Sequence, residues 1–245
     1  TQIDQRRGHA VCWARLSYYT GLAPVGGLRF PNDTVVLPMR YLPDEPGTRT
    51  RELIWGDDQW LSSGWLPPRT PTQMITVRSR RSSLGLTIME TEDTPRELSV
   101  RNRLGVPIRK LIVRSKDGKY FRAADVQTDG TVKAEPTELA KVQACLEETF
   151  RQCEPAFPAG MDRRGRAGPS GWRRSRYRWY WAFHQADVPA PSQKGGLLET
   201  ALATVRTEPL ERGCYLAIVD RSPEVVVGVS AAREEASLHV IRGKW

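Results

Sequence analysis

The sequence predicts a mainly β protein of the α+β class: an antiparallel β-sandwich or small barrel with two short amphipathic helices and long loops rich in proline and glycine. Three observations predict this class. Short apolar segments alternate with polar residues at period two over much of residues 73–245. Turn-forming residues separate these segments, and only two stretches have helical periodicity.

Residues 1–72 are rich in proline, glycine and tryptophan and show little periodicity. We therefore expect an irregular segment packed on the core, with one short strand at residues 35–37. Trp55, Trp60 and Trp65 recur every five residues, a spacing that fits neither a helix nor a strand. We interpret these tryptophans as loop residues anchored on a neighbouring core.

A β-rich domain is predicted over residues 73–245. Alternation of apolar and polar side chains predicts strands at residues 75–78, 84–88, 98–101 and 110–113. The Asp117-Gly118 pair precedes another apolar pair, Tyr120-Phe121, and predicts a hairpin because glycine accepts the positive φ of tight turns. Residues 102–107 offer a further turn.

Two helices are predicted in the second half of the chain. Apolar residues spaced by three and four predict an amphipathic helix at residues 138–153, with Thr137 as its N-cap and Pro155 as its stop. The second helix is predicted at residues 197–207, after a Gly-Gly pair. Three final strands are predicted at residues 215–219, 225–229 and 238–241.

Between the two helices lies the stretch with the clearest chemical character. Residues 154–174 predict a basic loop rich in proline, glycine and arginine, and residues 175–184 predict a strand with an aromatic face. Arginines can clamp phosphates while aromatic rings stack on bases. The same pattern also fits a buried aromatic sheet face with a solvated basic side. The candidate residues for binding an anion or a partner are Arg163, Arg164, Arg166, Trp172, Arg173, Arg174, Arg176, Tyr177 and Arg178.

The charge balance favours an acidic partner. The chain has 37 Lys and Arg against 28 Asp and Glu, a formal net charge of +9, which suits nucleic acid or an anionic lipid head group. The four cysteines contain no CxxC pair, so we expect no metal site. On one helix, Cys145 and Cys153 would lie about 12 Å apart, too far for a disulfide. Pairings that involve Cys12 and Cys214, and free thiols, stay open.

Signature motifs for nucleotide, metal or hydrolase chemistry are absent from the sequence. We therefore predict no catalytic residue, no metal ligand and no small-molecule cofactor. The three histidines are isolated from one another. The least favoured of three functional hypotheses is an enzyme whose site residues are dispersed along the sequence. It would act on a glycan through Asp57 and Asp58, beside the neighbouring tryptophans.

The function that we predict is a non-catalytic interaction or scaffold domain. A chain that begins at Thr1 rather than Met suggests the extracytoplasmic, periplasmic or cell-envelope part of a membrane-anchored protein. Its partners would then be other proteins of a membrane-associated assembly. The alternative function is a nucleic-acid-binding module that uses residues 163–181, and the alternative location is the cytoplasm.

Overall fold

The structure is a computed structural model of the 245-residue chain. It describes residues 1–38, 51–69, 72–90, 97–152, 202, 204–230, 232–234 and 237–245. Strands account for 50% of it and helices for 11%, which confirms the mainly β class. The strands are β1 (Gln2–Asp4), β2 (His9–Tyr18), β3 (Leu28–Pro31), β4 (Thr34–Pro38), β5 (Glu52–Trp55), β6 (Asp58–Ser63), β7 (Thr72–Arg81), β8 (Gly85–Glu90), β9 (Leu98–Arg103), β10 (Ile108–Arg114), β11 (Tyr120–Val126), β12 (Thr131–Thr137), β13 (Cys214–Val219) and β14 (His239–Lys244), and the helix is α1 (Leu139–Gln152).

Eleven of these strands form one large sheet, in the order β4-β7-β2-β1-β14-β13-β10-β11-β12-β9-β8. Neighbouring strands are antiparallel except β1 and β14, which are parallel. The sheet curls, so that Ile3 of β1 and Ala10 of β2 share one buried cluster with Leu86 of β8 and Val100 of β9. This cluster is the main core, and we call the side of the sheet that faces it the inward side.

The two ends of the curled part meet without pairing into a closed barrel. Gln5, in the turn between β1 and β2, donates from Nε2 to the Leu86 carbonyl at 3.0 Å and accepts the Leu86 N–H at Oε1 at 3.0 Å. A side-chain amide offers the same donor and acceptor as a peptide group. Gly85 makes room for it, since a Cβ there would lie 2.4 Å from Gln5 Cδ. At Leu86, Gln5 therefore supplies the two hydrogen bonds that a neighbouring strand would make.

Further layers cover each side of the large sheet in part. On the outward side, Val142 and Leu146 of α1 pack over Ile112 and Leu216. On the inward side, a three-stranded sheet in the order β3-β6-β5 covers β4, β7 and β2. Its buried side chains pack with Met74 of β7, and these are Leu28, Phe30, Leu61 and the nearby Leu66. The chain is thus a layered, sandwich-like α+β fold.

Several predicted elements are present. The strands predicted at 75–78, 84–88, 98–101, 110–113, 215–219 and 238–241 correspond to β7, β8, β9, β10, β13 and β14, and the first predicted helix is α1. The predicted hairpin joins β10 to β11, with Gly118 at φ 91°. Of the second predicted helix, residues 202 and 204–207 are described, and they are helical.

The short strand predicted at residues 35–37 is confirmed as β4, but the prediction that the rest of residues 1–72 is irregular is wrong, because β1, β2, β3, β5 and β6 lie there. Three of these strands have only three or four residues, which is too few for alternation to stand out between prolines and glycines. Strand β2 has ten residues, but it is apolar on both sides, and this hides the period of two. Strand β12, also missed, is charged and contains Pro136.

The strand predicted at residues 225–229 is also absent. Gly228 has φ 72°, and its carbonyl accepts the Arg29 N–H at the edge of β3. The Val227 carbonyl accepts the Tyr18 hydroxyl. The positive φ of Gly228 breaks the extended conformation of a strand, and the two carbonyls bond to different sheets, so the apolar segment links the sheets instead of joining a ladder. The predicted basic loop at 154–174 and the aromatic strand at 175–184 lie outside the described residues.

Candidate docking surface

The outward side of β4, β7 and β2 carries an apolar surface. Strand register places Val35, Val77 and Trp13 in one row across the three strands. A second row contains Leu37 and Ile75. Residues paired across strands share a face, so these side chains are neighbours. We call this set the outward apolar face, and its members are Val11, Trp13, Val35, Leu37, Ile75 and Val77.

The inward side of the same three strands is apolar as well. Leu16, Val36 and Met74 alternate with the members of the outward apolar face and pack beneath the three-stranded sheet. Strands that are apolar on both sides are typical of sheets that are covered on both sides. In the described residues only the inward side has such a cover.

The cover on the outward side stops short of these strands. Val11 is paired with Gln2, Gln2 with Arg242, and Arg242 with Leu216. Paired residues share a face, so all four lie on the outward side of the sheet. Leu216 lies under α1, whereas Gln2 and Arg242 form a polar boundary. Beyond that boundary, Val35 is 56% exposed and Leu37 is 51% exposed. No member of the outward apolar face belongs to a buried cluster of the described residues.

The charged side chains on this side are cationic. At the outward positions of β2, β4 and β7, the described charges are Arg15 and Arg81, and no acid is present. Arg15 donates from Nη2 to Gln73 Oε1 at 2.7 Å, which holds its guanidinium on the sheet. His9 and Ser79, at the other end of the face, bond to each other at 3.1 Å. An apolar patch bordered by cations results.

An ion-pair chain on the inward side fixes β4 and β7 beneath this surface. Arg80 contacts Glu224 through Nε at 2.6 Å, and the Glu224 side chain is 1% exposed. Arg78 contacts Asp33 at 2.9 Å. Burial raises the pKa of Asp33, but the hydrogen bonds and charge of Arg78 outweigh it, so the pKa stays below its ordinary value. These contacts hold the supporting strands in place.

A second exposed apolar patch lies on β5, the edge of the three-stranded sheet. Leu53, Ile54 and Trp55 are 47%, 43% and 64% exposed. The interpretation of Trp55 as a packed loop anchor is therefore wrong, whereas Trp65 does pack against a buried cluster. Trp60 lies on β6, stacked by the Arg29 guanidinium at 4.5 Å. This patch is one strand wide, in contrast to the three-strand face.

The candidate residues predicted from the sequence, Arg163 to Tyr177 and Arg178, all lie outside the described residues, so their role stays a prediction. Asp58 pairs with Arg29 at 3.3 Å, and Asp57 is exposed in the adjacent turn. Cys12, Cys145 and Cys214 are free thiols. Among the described residues, no three His, Cys, Asp or Glu side chains could together hold a metal ion.

The outward apolar face was not identified from the sequence, although its signal was present. The unbroken apolar run in β2 and the three successive apolar residues 35–37 are that signal. Comparison of the chain with protein-family models, with curated proteins and with solved structures gave no match. No helix in the described part of the chain has the length and apolar character to cross a membrane.

Proposed function

We propose that this chain is a non-catalytic interaction domain that docks another protein on its outward apolar face. The partner presents an apolar patch bordered by carboxylates. The observation that supports this most is that β4, β7 and β2 are apolar on both sides while the described residues cover only one.

The composition of the face suits a protein interface. Trp13 lies on β2 at one side of the face, next to Val77, and Arg15 borders it. Tryptophan and arginine are the residue types that most often dominate binding energy at interfaces, with apolar neighbours that exclude water. Complete burial of one Val or Leu side chain contributes about 1.5–3 kcal/mol. Covering Val35 and Leu37 therefore supplies a driving force for docking.

Charge favours a different protein over a second copy of this chain. If two copies met through this face, Arg15 and Arg81 of one would approach the same cations of the other. Like charges brought together in an interface are strongly unfavourable. A partner with Asp or Glu around its apolar patch would instead bring opposite charge to this face, in keeping with the net charge of +9. We also propose that the domain lies outside the cytoplasm, in a membrane-associated assembly. A reporter fusion that is active only outside the cytoplasm tests this location.

The first experiment identifies what occupies the face. A photo-crosslinking residue, p-benzoylphenylalanine, replaces Leu37 in the full-length protein in its own cells, and a control copy carries it at the exposed Thr87 of β8. The proposal expects an adduct with one other protein from position 37 and not from position 87. An adduct between two copies, an adduct with residues 153–201 of the same chain, or no adduct would each overturn it.

The second experiment measures binding of that protein after purification. Val35→Glu with Leu37→Glu places two charges in the face and should weaken binding by about a hundredfold. The matched control is Thr87→Glu with Thr131→Glu, which makes the same charge change at two exposed positions that flank Arg101. Equal weakening in both double variants would show a nonspecific effect of charge and contradict the proposal.

A further inference from the structure

A cleft lies where three segments meet at one end of the large sheet. They are the turn between β1 and β2, the turn between β7 and β8, and the end of β9. The cleft measures about 600 Å³ and is lined by Arg81, Ser83, Arg103 and the floor residues Gln5 and Gly8, with their neighbours. It belongs neither to the outward apolar face nor to the main core.

The floor of this cleft is held in place by internal hydrogen bonds. The Ser82 N–H donates to the Gly8 carbonyl at 2.9 Å, which ties the two turns together. Gln5 is bound at both ends of its amide to Leu86. The Ser82 hydroxyl also reaches the buried Glu224 at 3.5 Å. These hydrogen bonds hold Gln5, Gly8 and Ser82 in place along the floor of the cleft.

The walls carry cationic groups that the described residues leave without an acid. Arg81 and Arg103 are exposed and form no ion pair in the part of the chain described, unlike Arg80, which is fixed to Glu224. Ser83 is exposed too, and it forms no hydrogen bond there. Among the residues that the structure describes, no carboxylate lines the cleft. The guanidinium groups of Arg81 and Arg103, together with the hydroxyl and backbone N–H of Ser83, are thus available as hydrogen-bond donors in one cleft.

We propose that this cleft, the arginine cleft, binds the phosphate group of a phosphate-bearing ligand. Guanidinium groups match the oxygens of phosphate with paired, charge-assisted hydrogen bonds, and Ser83 adds neutral donors. The cleft opens widely to solvent, so a group attached to the phosphate can extend out of it. Arg81 also borders the outward apolar face, so phosphate binding is measured on the chain alone, without a docked partner.

The experiment is titration calorimetry of the full chain with inorganic phosphate at low ionic strength. Arg81→Gln with Arg103→Gln should weaken phosphate binding by about tenfold or more, because both charged donors are lost. The control double variant, Lys119→Gln with Arg122→Gln, removes the same charge from exposed residues of another region and should bind as the original does. Circular dichroism confirms that each variant is folded.

Phosphate-bearing lipid and soluble ligand are then separated with vesicles of phosphatidylglycerol in phosphatidylcholine. If vesicles bind and free phosphate displaces the chain from them, the cleft takes a lipid head group. If phosphate binds and vesicles do not, the ligand is soluble, and both results support the cleft. Absence of saturable phosphate binding, or equal loss in the two double variants, would overturn the proposal.

Discussion

The side chain of Gln5 joins the two ends of the curled sheet, which we call the seam: the turn between β1 and β2, and the edge of β8. Its amide satisfies both backbone groups of Leu86, at 3.0 Å each, on the edge of β8. A buried backbone group without a partner costs about 1–3 kcal/mol. Gln5 also lies under the arginine cleft, so the same residue supports the fold and the proposed site.

We expect Gln5→Ala to lower the free energy of unfolding by about 1–3 kcal/mol, measured by urea denaturation. The control is Gln143→Ala on the exposed side of α1, with an expected change within about 0.5 kcal/mol. If Gln5→Ala unfolds at the same urea concentration as the control, the amide does not stabilise the seam.

For Asn102, the sequence predicts the turn but not the burial or the contacts of its side chain. The turn predicted at 102–107 is present, as asparagine in such a segment indicates. The sequence gives no sign that Asn102 is fully buried, or that its amide donates to the Val106 and Gln127 carbonyls. The second of these contacts depends on how β9 and β12 pair, and that is set by the tertiary fold.

Among the elements, β14 depends on a glycine that faces a large ring. Gly243 is paired with Tyr215 of β13, and a Cβ at position 243 would lie 2.2 Å from Tyr215 Cζ. Tyr215 is fully buried. Burial also raises the pKa of its hydroxyl far above the ordinary value, so the ring stays neutral. The ring occupies the space that a side chain on β14 would need.

Gly243→Ala should therefore lower the free energy of unfolding by about 1–3 kcal/mol or more, since the ring must shift in a packed core. Gly56→Ala is the control, because a Cβ there meets no atom within 4 Å. Thermal or urea unfolding of both variants decides the matter. A Gly243→Ala protein as stable as the control would mean that the packing of Tyr215 on β14 is wrong.

The contrast between β9 and β2 explains which elements could be predicted. Strand β9 alternates buried and exposed residues, so period two is visible in the sequence. Strand β2 has apolar residues on both sides and shows no such period. Alternation of apolar and polar residues identifies strands with one solvent-exposed face, and it fails for strands that are apolar on both faces. The failure at β2 therefore coincides with the outward apolar face.

For the molecule as a whole, the layers explain why one surface stands out. The large sheet is covered inward by its own curl and by the three-stranded sheet, and outward by α1 over β10 and β13. Alternation and turns predicted the sandwich-like class. These two signals could not predict that Gln2 is paired with both Val11 and Arg242. This pairing joins β2 to β14 through β1, so the outward side of the sheet continues beyond the strands that α1 covers.

The most direct measurement of the central claim is the reaction rate of a thiol placed on β4, with and without the partner protein. Leu37→Cys lies on the outward apolar face, and Val36→Cys, its neighbour, points inward. Maleimide labelling read by peptide mass spectrometry should be fast at position 37, slow at position 36, and slowed by the partner only at position 37. A thiol at position 37 that is as slow as the one at position 36, or one that the bound partner does not protect, would contradict the account.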